Sequence, residues 1–306
     1  MGEHRFDGRV AVITGAGRGL GRTYAELLAS RGARIVVNDN GSSIVGAGAD
    51  TSPAEEVVAA IRAAGGEAVA CTESVATPEG GKAIIEAALD AFGRLDILVH
   101  NAGNVRYGTL EDISHEDFRA VLDVHLLGGF NVVRPAFPIM SKAGYGRMVL
   151  TGSIGGLYGR GGVVNYGVSK AGLMALSNLV AIEGAEKGIK SNLILPGAVT
   201  RMADGLDTSQ YPAMEPEKVA AVVGYLAHES CAVTGEMLVS MAGRVARAYV
   251  AETHGVFRAN WTIEDVADNL DAIRDTSKQW IFHPAEGGFG EHMARSFEMA
   301  RAGEAG

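Results

Sequence analysis

The chain has 306 residues, among them 42 glycines, and its 47% hydrophobic and 21% charged residues are the balance of a globular protein with a sizeable core. It has only 8 prolines and no Gly-x-y period, which excludes collagen-like and proline-rich disordered chains. The net charge of −9 provides no basic face for nucleic acid, and no apolar run reaches the ~20 residues needed to cross a bilayer.

Short apolar runs rich in β-branched residues alternate with segments in which apolar residues recur every three or four positions. The predicted strands are residues 9–14, 34–38, 67–72, 97–100, 147–151, 191–195 and 237–240. The predicted helices are residues 20–31, 54–64, 80–92, 116–140, 166–187 and 217–227. This alternation predicts an α/β fold of the doubly wound, Rossmann type, with a seven-stranded parallel sheet and helices on both faces.

The alternation ends near residue 243, so we assign residues 1–245 to one domain and residues 246–306 to a C-terminal helical extension. In the extension, Thr262 is the predicted N-cap and Asp265 the third residue of a helix over 262–276. Residues 286–290 and 301–306 are predicted to be irregular. Residues 41–52, rich in glycine, alanine and serine, are longer than the usual connection of ~2–6 residues, and the sequence does not explain their length.

The two cysteines, Cys71 and Cys231, are far apart in the sequence and have no metal-ligand spacing around them, so we expect no metal site. So few cysteines are typical of a reducing compartment, and the N-terminus has no signal-peptide pattern. We therefore expect a soluble cytoplasmic protein without membrane insertion.

A glycine-rich segment joins the first predicted strand to the first predicted helix, and it reads Thr14-Gly15-Ala16-Gly17-Arg18-Gly19-Leu20-Gly21. Glycines at such a junction let the backbone turn sharply and approach a pyrophosphate, whose charge is favoured at a helix N-terminus. Asp39, at the end of the second predicted strand, is placed to bond a ribose diol. The segment therefore predicts a dinucleotide site. Asp39 would repel a 2′-phosphate, whereas Arg18 could pair with one, and we give the carboxylate more weight and predict NAD.

The T-G-x-x-x-G-x-G spacing and four later motifs together resemble the short-chain dehydrogenase/reductase family over residues 6–243. The later motifs are Asn101-Ala102-Gly103, Ser153, Tyr166-Gly167-Val168-Ser169-Lys170 and Pro196-Gly197. The resemblance implies an enzyme that interconverts a secondary alcohol and a ketone, with Ser153, Tyr166, Lys170 and His125 as its catalytic residues.

The residue types suit that chemistry. Tyr166 and Lys170 are four apart and hence neighbours on one helical face. A phenol with an ordinary pKa of about 10 is a poor base at neutral pH, and we expect a nearby ammonium and the nicotinamide cation to lower that pKa. Tyr166 would exchange the alcohol proton, Ser153 would bond the substrate oxygen, and Lys170 would also hold the nicotinamide ribose.

The resemblance also implies which residues hold NAD. They are Gly15, Arg18, Gly19, Leu20, Gly21, Asp39, Ser74, Val75, Asn101, Ala102, Gly103, Tyr166, Lys170, Pro196, Gly197, Val199 and Thr200. Ser74 and Val75 are expected beside the adenine, and Val199 and Thr200 beside the nicotinamide amide and the phosphates. Thr200 stands one place early relative to the family's P-G-x-x-x-T pattern.

Two histidines depart from the family pattern. His100 replaces a common asparagine, which we interpret as a tolerated change at a strand end. His125 stands where most members have the asparagine that anchors a water on the way to the lysine. An imidazole nitrogen could hold that water, and an ordinary core histidine is the alternative interpretation.

Six further segments indicate the substrate class. They are Phe6-Asp7-Gly8-Arg9-Val10, Asn38-Asp39 followed by the long segment 41–52 (the insertion), Val124-His125-Leu126, Ala181-Ile182-Glu183-Gly184, His228-Glu229-Ser230-Cys231 and the tail with Trp261. Within the family they are most similar to the (3R)-hydroxyacyl-CoA dehydrogenase unit of the peroxisomal multifunctional enzyme and its stand-alone bacterial relatives. The similarity implies a (3R)-3-hydroxyacyl-CoA substrate and an extension that covers the active site or a subunit interface. Family members also pair two long helices across subunits, which implies a homodimer or homotetramer.

Two alternatives stay open. A hydroxysteroid or other bulky alicyclic alcohol would also suit the apolar residues expected near the pocket, which are Ile154, Leu157, Tyr158, Val163 and Met202. The phosphates of CoA would need basic groups, for which Arg160, Arg201 and Arg244 are candidates. The third hypothesis, a catalytically silent NAD-binding protein, is disfavoured by the intact Ser153, Tyr166 and Lys170.

Overall fold

The structure is a computed structural model that describes residues 2–199 and 210–304. The chain divides into two units, one ending at Arg247 and the other beginning at Ala248. Among the described residues, none of the helices is both long enough and apolar enough to cross a bilayer.

A parallel sheet of seven strands, extended by an eighth, forms the centre of the first unit. The strands are β1 (Val10–Thr14), β2 (Arg34–Asn38), β3 (Glu67–Cys71), β4 (Ile97–His100), β5 (Gly146–Thr151), β6 (Ile189–Gly197), β7 (Met237–Met241) and β8 (Arg244–Ala248). Their order is β3-β2-β1-β4-β5-β6-β7-β8, and each pair among the first seven is parallel. This confirms the predicted Rossmann-type fold.

The eighth strand of this sheet was not predicted from the sequence. Only Ala242 and Gly243 separate β7 from β8, which is too short for a crossover, so the two strands are antiparallel. Both turn residues have positive φ, 49° and 83°, as a two-residue hairpin turn requires. Alanine in that conformation is uncommon, and the turn therefore lacks the usual sequence signal.

Eight helices lie in the described part of the first unit. They are α1 (Gly19–Ser30), α2 (Ser52–Ala63), α3 (Pro78–Phe92), α4 (His115–Leu122), α5 (Gly128–Ala143), α6 (Ile154–Tyr158), α7 (Val164–Gly184) and α8 (Glu217–Ala227). Helix α1 packs with α2 and α8, whereas α3 packs with α5 and α4 with α7. A π-helical turn over Asp123–Leu127 interrupts the helix predicted over residues 116–140.

The central strands are buried on both faces, and most of their residues are apolar. Every residue of β1, β4 and β5 is buried, which is typical of a parallel sheet covered by helices on both faces. The strand order reverses between β1 and β4, and ligands of such sheets bind outside the carboxyl ends of the strands at this point. The fold therefore places the ends of these strands where the sequence predicts a dinucleotide.

The second unit contains two short antiparallel strands, β9 (Glu252–Thr253) and β10 (Gln279–Trp280), with α9 (Ile263–Asp268), α10 (Leu270–Ile273) and α11 (Gly288–Glu304). Thr262 and Asp265 form a reciprocal capping box, but the predicted helix divides at Asn269. The irregular structure predicted for residues 286–290 and 301–306 is wrong where α11 covers them. Phe289, Met293 and Phe297 recur every four residues in α11, a helical signal that the glycines at 287, 288 and 290 concealed.

Candidate active site

A cavity of about 790 Å³ opens at the carboxyl ends of β1, β4 and β5, within the range of roughly 300–1,000 Å³ found for small-molecule sites. All of its lining residues belong to the first unit. The predicted site residues among them are Gly15, Arg18, Gly19, Leu20, Asp39, Ser74, Val75, Asn101, Ala102, Gly103, His125, Ser153, Tyr166, Lys170 and Pro196. Three predicted cofactor residues, Gly21, Gly197 and Val199, do not line it, and Thr200 lies outside the described residues.

The glycine segment packs against the loop after β4 so closely that side chains would not fit. A Cβ on Gly15, where φ is 64°, would lie 2.7 Å from Ala102 Cα. A Cβ on Gly21 would collide with the Gly15 carbonyl and lie 2.6 Å from Asn101 Nδ2, which donates to that same carbonyl at 3.1 Å. The absence of a side chain at Gly21 thus allows α1 to pack directly against Gly15 and Asn101. The segment leads directly into the N-terminus of α1, so its backbone suits a close-lying pyrophosphate.

Asp39 lies at the carboxyl end of β2, with both oxygens held by backbone donors. Gly17 N–H donates to Oδ2 at 2.9 Å, and Gly41 N–H donates to Oδ1 at 2.8 Å. A carboxylate has about four acceptor positions, so sites remain for the two hydroxyls of a ribose. Hydrogen bonds from Ser52 lower the pKa of Asp50, and the charge of Arg18 acts weakly in the same direction.

Two of the remaining predicted cofactor residues have other contacts. Gly197 allows β6 to approach the Met241 side chain, because a Cβ there would lie 2.6 Å from Met241 Cε. Val199 N–H donates to the Met214 carbonyl at 2.9 Å, and its side chain is half-exposed. Neither residue faces the cavity formed by the described residues.

Three side chains with the chemistry of alcohol oxidation converge on the cavity. Ser153 follows β5 and caps α6, where its Oγ accepts the Gly155 N–H at 3.1 Å. Tyr166 and Lys170 lie on adjacent turns of α7, with Lys170 Nζ 5.5 Å from the centroid of the Tyr166 ring. Lys170 Nζ also donates to the Thr151 carbonyl at 2.6 Å. The strand β5 and the helix α7 therefore hold the three groups together.

Burial dominates the ionisation of this cluster. Burial raises the pKa of Tyr166 above its usual value of 10, while a hydrogen bond with Ser153 and the charge of Arg160 act in the opposite direction. Burial therefore opposes the lowering of this pKa that was expected from an ammonium and the nicotinamide cation together. Burial also lowers the pKa of Lys170 from 10.5 to about 7, so its ammonium is only partly formed at neutral pH.

His125 lies in the middle of the π-helical turn and packs edge-on against Tyr166, with 5.3 Å between the ring centroids. Its Nε2 is 2.8 Å from the Asn104 carbonyl and 3.1 Å from the Asn104 N–H, and only one of these bonds can form in a given tautomer. Its buried Nδ1 has no partner among the described residues. Burial, reinforced by the charge of Lys170, lowers the pKa of His125 well below its usual value, so the imidazole is neutral.

Both ring nitrogens of His100, at the end of β4, form hydrogen bonds with other parts of the site. His100 is therefore more than a tolerated change at a strand end. Its Nε2 lies 2.9 Å from the His125 carbonyl, which can only accept, so Nε2 carries the proton. Its Nδ1 then accepts from the Thr14 hydroxyl at 3.1 Å, and Thr14 Oγ1 accepts the backbone N–H groups of Asn101 and Ala102. Burial lowers the pKa of His100 to about 4, which keeps this arrangement neutral.

The opposite end of the cavity is apolar and partly exposed. Ile154, Tyr158, Val163 and Arg160 line it as expected, whereas Leu157 does not. Arg244 lies on β8 away from the cavity, and Arg201 and Met202 lie outside the described residues. Sequence reasoning missed the lining segments at residues 40–46 and 104–107, whose only sequence signal was the unexplained length of the insertion. Across the described ranges, no group of three or more His, Cys, Asp and Glu side chains could hold a metal.

Comparison with known proteins agrees with this geometry. The family model described as short chain dehydrogenase matches residues 9–210. Peroxisomal multifunctional enzyme type 2 of Drosophila melanogaster is 47% identical over 283 residues, which cover 90% of this chain and 47% of that protein. A short-chain type dehydrogenase/reductase of Mycobacterium tuberculosis is 45% identical over 271 residues, which cover 88% of this chain and 95% of that protein.

Solved structures show the same likeness. The full-length Drosophila multifunctional enzyme superposes with a TM-score of 0.80 and 38% identity, over 97% of this chain and 51% of that chain. A short chain dehydrogenase from Mycobacterium avium superposes with a TM-score of 0.76 and 37% identity, over 87% of this chain and 94% of that chain. The chain thus spans about half the length of the multifunctional enzyme.

Proposed function

Since the chain belongs to the short-chain dehydrogenase/reductase family of oxidoreductases, we propose that it interconverts a (3R)-3-hydroxyacyl-CoA and the corresponding 3-oxoacyl-CoA with NAD. The convergence of Ser153, Tyr166 and Lys170 on one cavity, beside a glycine segment and Asp39, carries this proposal. When bound, the nicotinamide supplies the hydride acceptor for the oxidation of the alcohol carbon.

Ser153 and Tyr166 act on the substrate oxygen in this proposal. Ser153 Oγ accepts the Gly155 N–H, and its hydroxyl also bonds Tyr166, so the substrate oxygen would take the place of Tyr166 as the acceptor of the Ser153 proton. Tyr166 removes the hydroxyl proton during oxidation and returns it during reduction. Burial disfavours the phenolate, so this role requires positive charge from Lys170 and from the nicotinamide.

Lys170 and a water held by His125 would connect Tyr166 to solvent, so that the proton leaves Tyr166 by this route after oxidation and returns to it after reduction. When it is protonated, Lys170 Nζ has three donors, of which the Thr151 carbonyl takes one and two remain for a ribose hydroxyl and a water. His125 Nδ1 is the unpartnered atom that holds this water, and we assign His125 a positioning role.

We propose NAD as the cofactor because the carboxylate of Asp39, at the carboxyl end of β2, is suited to bond a ribose diol. The carboxylate stays at the end of β2 through its two backbone donors and would repel a 2′-phosphate. The charge of Arg18, which could attract that phosphate, also acts weakly on Asp50. The other predicted cofactor residues that line the cavity remain proposed contacts. Gly21, Gly197 and Val199, which do not line it, and Thr200, which lies outside the described residues, remain proposed contacts as well.

The relatives favour an acyl-CoA over a sterol. Among them are enzymes named peroxisomal hydratase-dehydrogenase-epimerase, 43% identical over 243 residues in Saccharomyces cerevisiae, and 3-oxoacyl-[acyl-carrier-protein] reductase, 36% identical over 238 residues in Synechocystis. The first name includes a dehydrogenase, and the second describes chemistry at the third carbon of an acyl chain. Of the three arginines considered for a CoA phosphate, Arg160 lines the cavity, Arg244 does not, and Arg201 lies outside the described residues.

A substrate panel tests the proposal. NADH absorbance is followed with (3R)- and (3S)-3-hydroxyacyl-CoA and with hydroxysteroids, each with NAD and with NADP. We expect NADH formation from the (3R)-acyl-CoA, and a loss of about 10²–10⁴-fold in the Tyr166→Phe variant. Activity on hydroxysteroids alone would transfer the assignment to the alternative substrate, and a wild-type rate in the Tyr166→Phe variant would contradict the mechanism.

Three further expectations remain proposals. We propose that α5 and α7 form a homodimer or homotetramer interface, and that the extension from residue 246 onward covers the active site or that interface. The cytoplasmic location expected from the sequence contrasts with the peroxisomal names of several relatives, and cell fractionation distinguishes the two.

A further inference from the structure

We propose that residues 40–50, which we call the clasp, close over the cofactor half of the cavity, and that Arg106 is the positioning residue that fastens them. The inference rests on the proposed dinucleotide cofactor and assigns a purpose to the insertion that the sequence left unexplained. Ser42, Ser43, Ile44 and Gly46 of the clasp line the cavity. The segment is therefore part of the wall of the site.

The base of the clasp is fixed at the proposed ribose site. Asp50 N–H donates to the Asn40 carbonyl at 3.0 Å, which closes the segment into a loop directly after β2. Gly41 N–H donates to Asp39 Oδ1 at 2.8 Å. The carboxylate proposed to hold the ribose therefore also holds the first turn of the clasp.

The tip of the clasp holds its own shape. Ser43 N–H donates to the Ala47 carbonyl, and Gly46 N–H donates to the Ser43 carbonyl, each at 2.9 Å. Ala47 N–H donates to Ser43 Oγ at 3.2 Å. These bonds form a compact turn, so little conformational entropy is lost when the tip docks as a unit.

Two hydrogen bonds dock this tip on the segment that follows β4. Val105 N–H donates to the Ile44 carbonyl at 2.9 Å, and Arg106 Nε donates to the Val45 carbonyl at 3.0 Å. The approach is close at Gly46, where φ is 81° and an added Cβ would lie 2.7 Å from Asn104 Nδ2. The clasp therefore spans the cavity from Asp39 to Arg106.

Arg106 is itself held firmly next to the catalytic helix. Its Nη1 donates to Asp117 Oδ1 at 2.8 Å, and its carbonyl accepts from Asn165 Nδ2 at 3.0 Å. Asn165 is buried, and its Oδ1 accepts the N–H of Tyr166 at 2.8 Å. The fastening point of the clasp is thus joined to the start of α7, and the clasp docks on a rigid part of the site.

Direct binding of NADH and NADPH, without any acyl substrate, tests this inference. Fluorescence titration and stopped-flow dissociation are measured for the wild type and for Arg106→Met, Gly46→Ala, Gly48→Ala and Asp117→Asn. We expect Arg106→Met and Gly46→Ala to raise the Kd on the order of tenfold, mainly through faster release, as expected for one or two lost hydrogen bonds.

The other two variants are matched controls and should stay within about twofold of the wild type. Gly48 has nearly the same left-handed backbone, with φ of 79°, but an added Cβ there meets nothing within 4 Å. Asp117→Asn removes the charge of the ion pair, but its amide oxygen can still accept from Arg106 Nη1, and the bond from Arg106 to Val45 stays in place. Thermal unfolding without NADH checks the fold, and if Arg106→Met unfolds, the comparison of Gly46→Ala with Gly48→Ala decides.

The outcomes separate the two proposals. A wild-type protein that binds neither NADH nor NADPH overturns the proposed function. A wild type that binds, with Arg106→Met and Gly46→Ala binding equally well, overturns the clasp alone. Equal losses in Gly46→Ala and Gly48→Ala also overturn it, because backbone strain would then explain both.

Discussion

At the scale of single residues, the cavity lined by Lys170 is also lined by residues whose buried polar atoms have no partner in the described part of the chain. Lys170 Nζ donates to the Thr151 carbonyl, and the buried Thr151 Oγ1 and His125 Nδ1 have no partner among the described residues. All three residues line the same cavity. Since buried polar groups are nearly always hydrogen-bonded, an ordered water beside Lys170 is the simplest arrangement that satisfies them. This argues that His125 replaces the usual asparagine functionally.

Substitution of His125 tests that role. We expect His125→Leu to lower kcat about tenfold to hundredfold, because the water beside Lys170 loses a partner, and His125→Asn to keep more activity, because an amide can hold the water. Steady-state kinetics across pH and thermal unfolding measure the effect. A Leu variant that is folded, with the kcat and pH profile of the wild type, would remove His125 from the mechanism.

The lowered pKa of Lys170 predicts a specific dependence of stability on pH. Its folded-state value of about 7 lies below the unfolded value of 10.5, so between these values the unfolded chain binds more protons. This group therefore makes stability rise with pH above 7, by up to about 1.4 kcal/mol per pH unit. Urea unfolding of the wild type and Lys170→Met at pH 6, 7, 8 and 8.5 should show this slope in the wild type only. Parallel curves would contradict the lowered pKa.

At the scale of elements, glycines bring the short helix α6 against α7. An added Cβ on Gly156 would lie 2.8 Å from the Ala171 backbone nitrogen and 2.9 Å from Lys170 Cβ. By contrast, an added Cβ on Gly161 would meet nothing within 4 Å. The glycine cluster after Ser153 therefore has two roles: tight packing at Gly156 and an open loop further on. Since Ser153 caps α6, the tight packing of α6 on α7 at Gly156 determines how far Ser153 lies from Tyr166.

We expect Gly156→Ala to push α6 away from α7 and thereby displace Ser153. Such overpacking costs about 1–3 kcal/mol of stability, and the loss of alignment should lower kcat about tenfold. Thermal unfolding and steady-state kinetics measure the two effects. Gly161→Ala is the matched control and should behave as the wild type. Equal kinetics in both variants would show that this contact does not position Ser153.

At the scale of the whole molecule, two long helices present apolar side chains to solvent. Phe130 on α5 is 48% exposed, and Leu179 and Ile182 on α7 are 54% and 46% exposed. Large exposed apolar groups on neighbouring helices mark an interaction surface. This supports the homo-oligomer that the family resemblance implies.

A charge placed in that surface should dissociate the oligomer. We expect light scattering to show a dimer or tetramer for the wild type and a smaller species for Leu179→Arg, because a buried unpaired charge is costly. Leu110, which is 85% exposed and lies outside both helices, provides the control Leu110→Arg. A monomeric wild type, or an unchanged mass for Leu179→Arg, would contradict this interface.

Local patterns were enough to predict the fold and the core of the candidate site. The seven strands and their parallel arrangement follow from apolar segments that alternate with helical ones, and Tyr166 and Lys170 are neighbours because four residues make about one helical turn. The glycine segment can likewise be recognised in the sequence, because the residues that need close backbone approach are adjacent there. Such features depend on contacts within one or two elements, so the sequence by itself determined them.

Other features were decided only by the tertiary structure, because they depend on burial and on groups distant in sequence. Burial raises the pKa of Tyr166, which the spacing to Lys170 could not reveal. The Thr14 hydroxyl and the His125 carbonyl define the tautomer of His100. The purpose of the insertion became visible only where its tip meets Arg106, some sixty residues further along the chain. Sequence alone determined which chemistry the site carries, and the packing of distant segments decided how its groups ionise and how the cavity is closed.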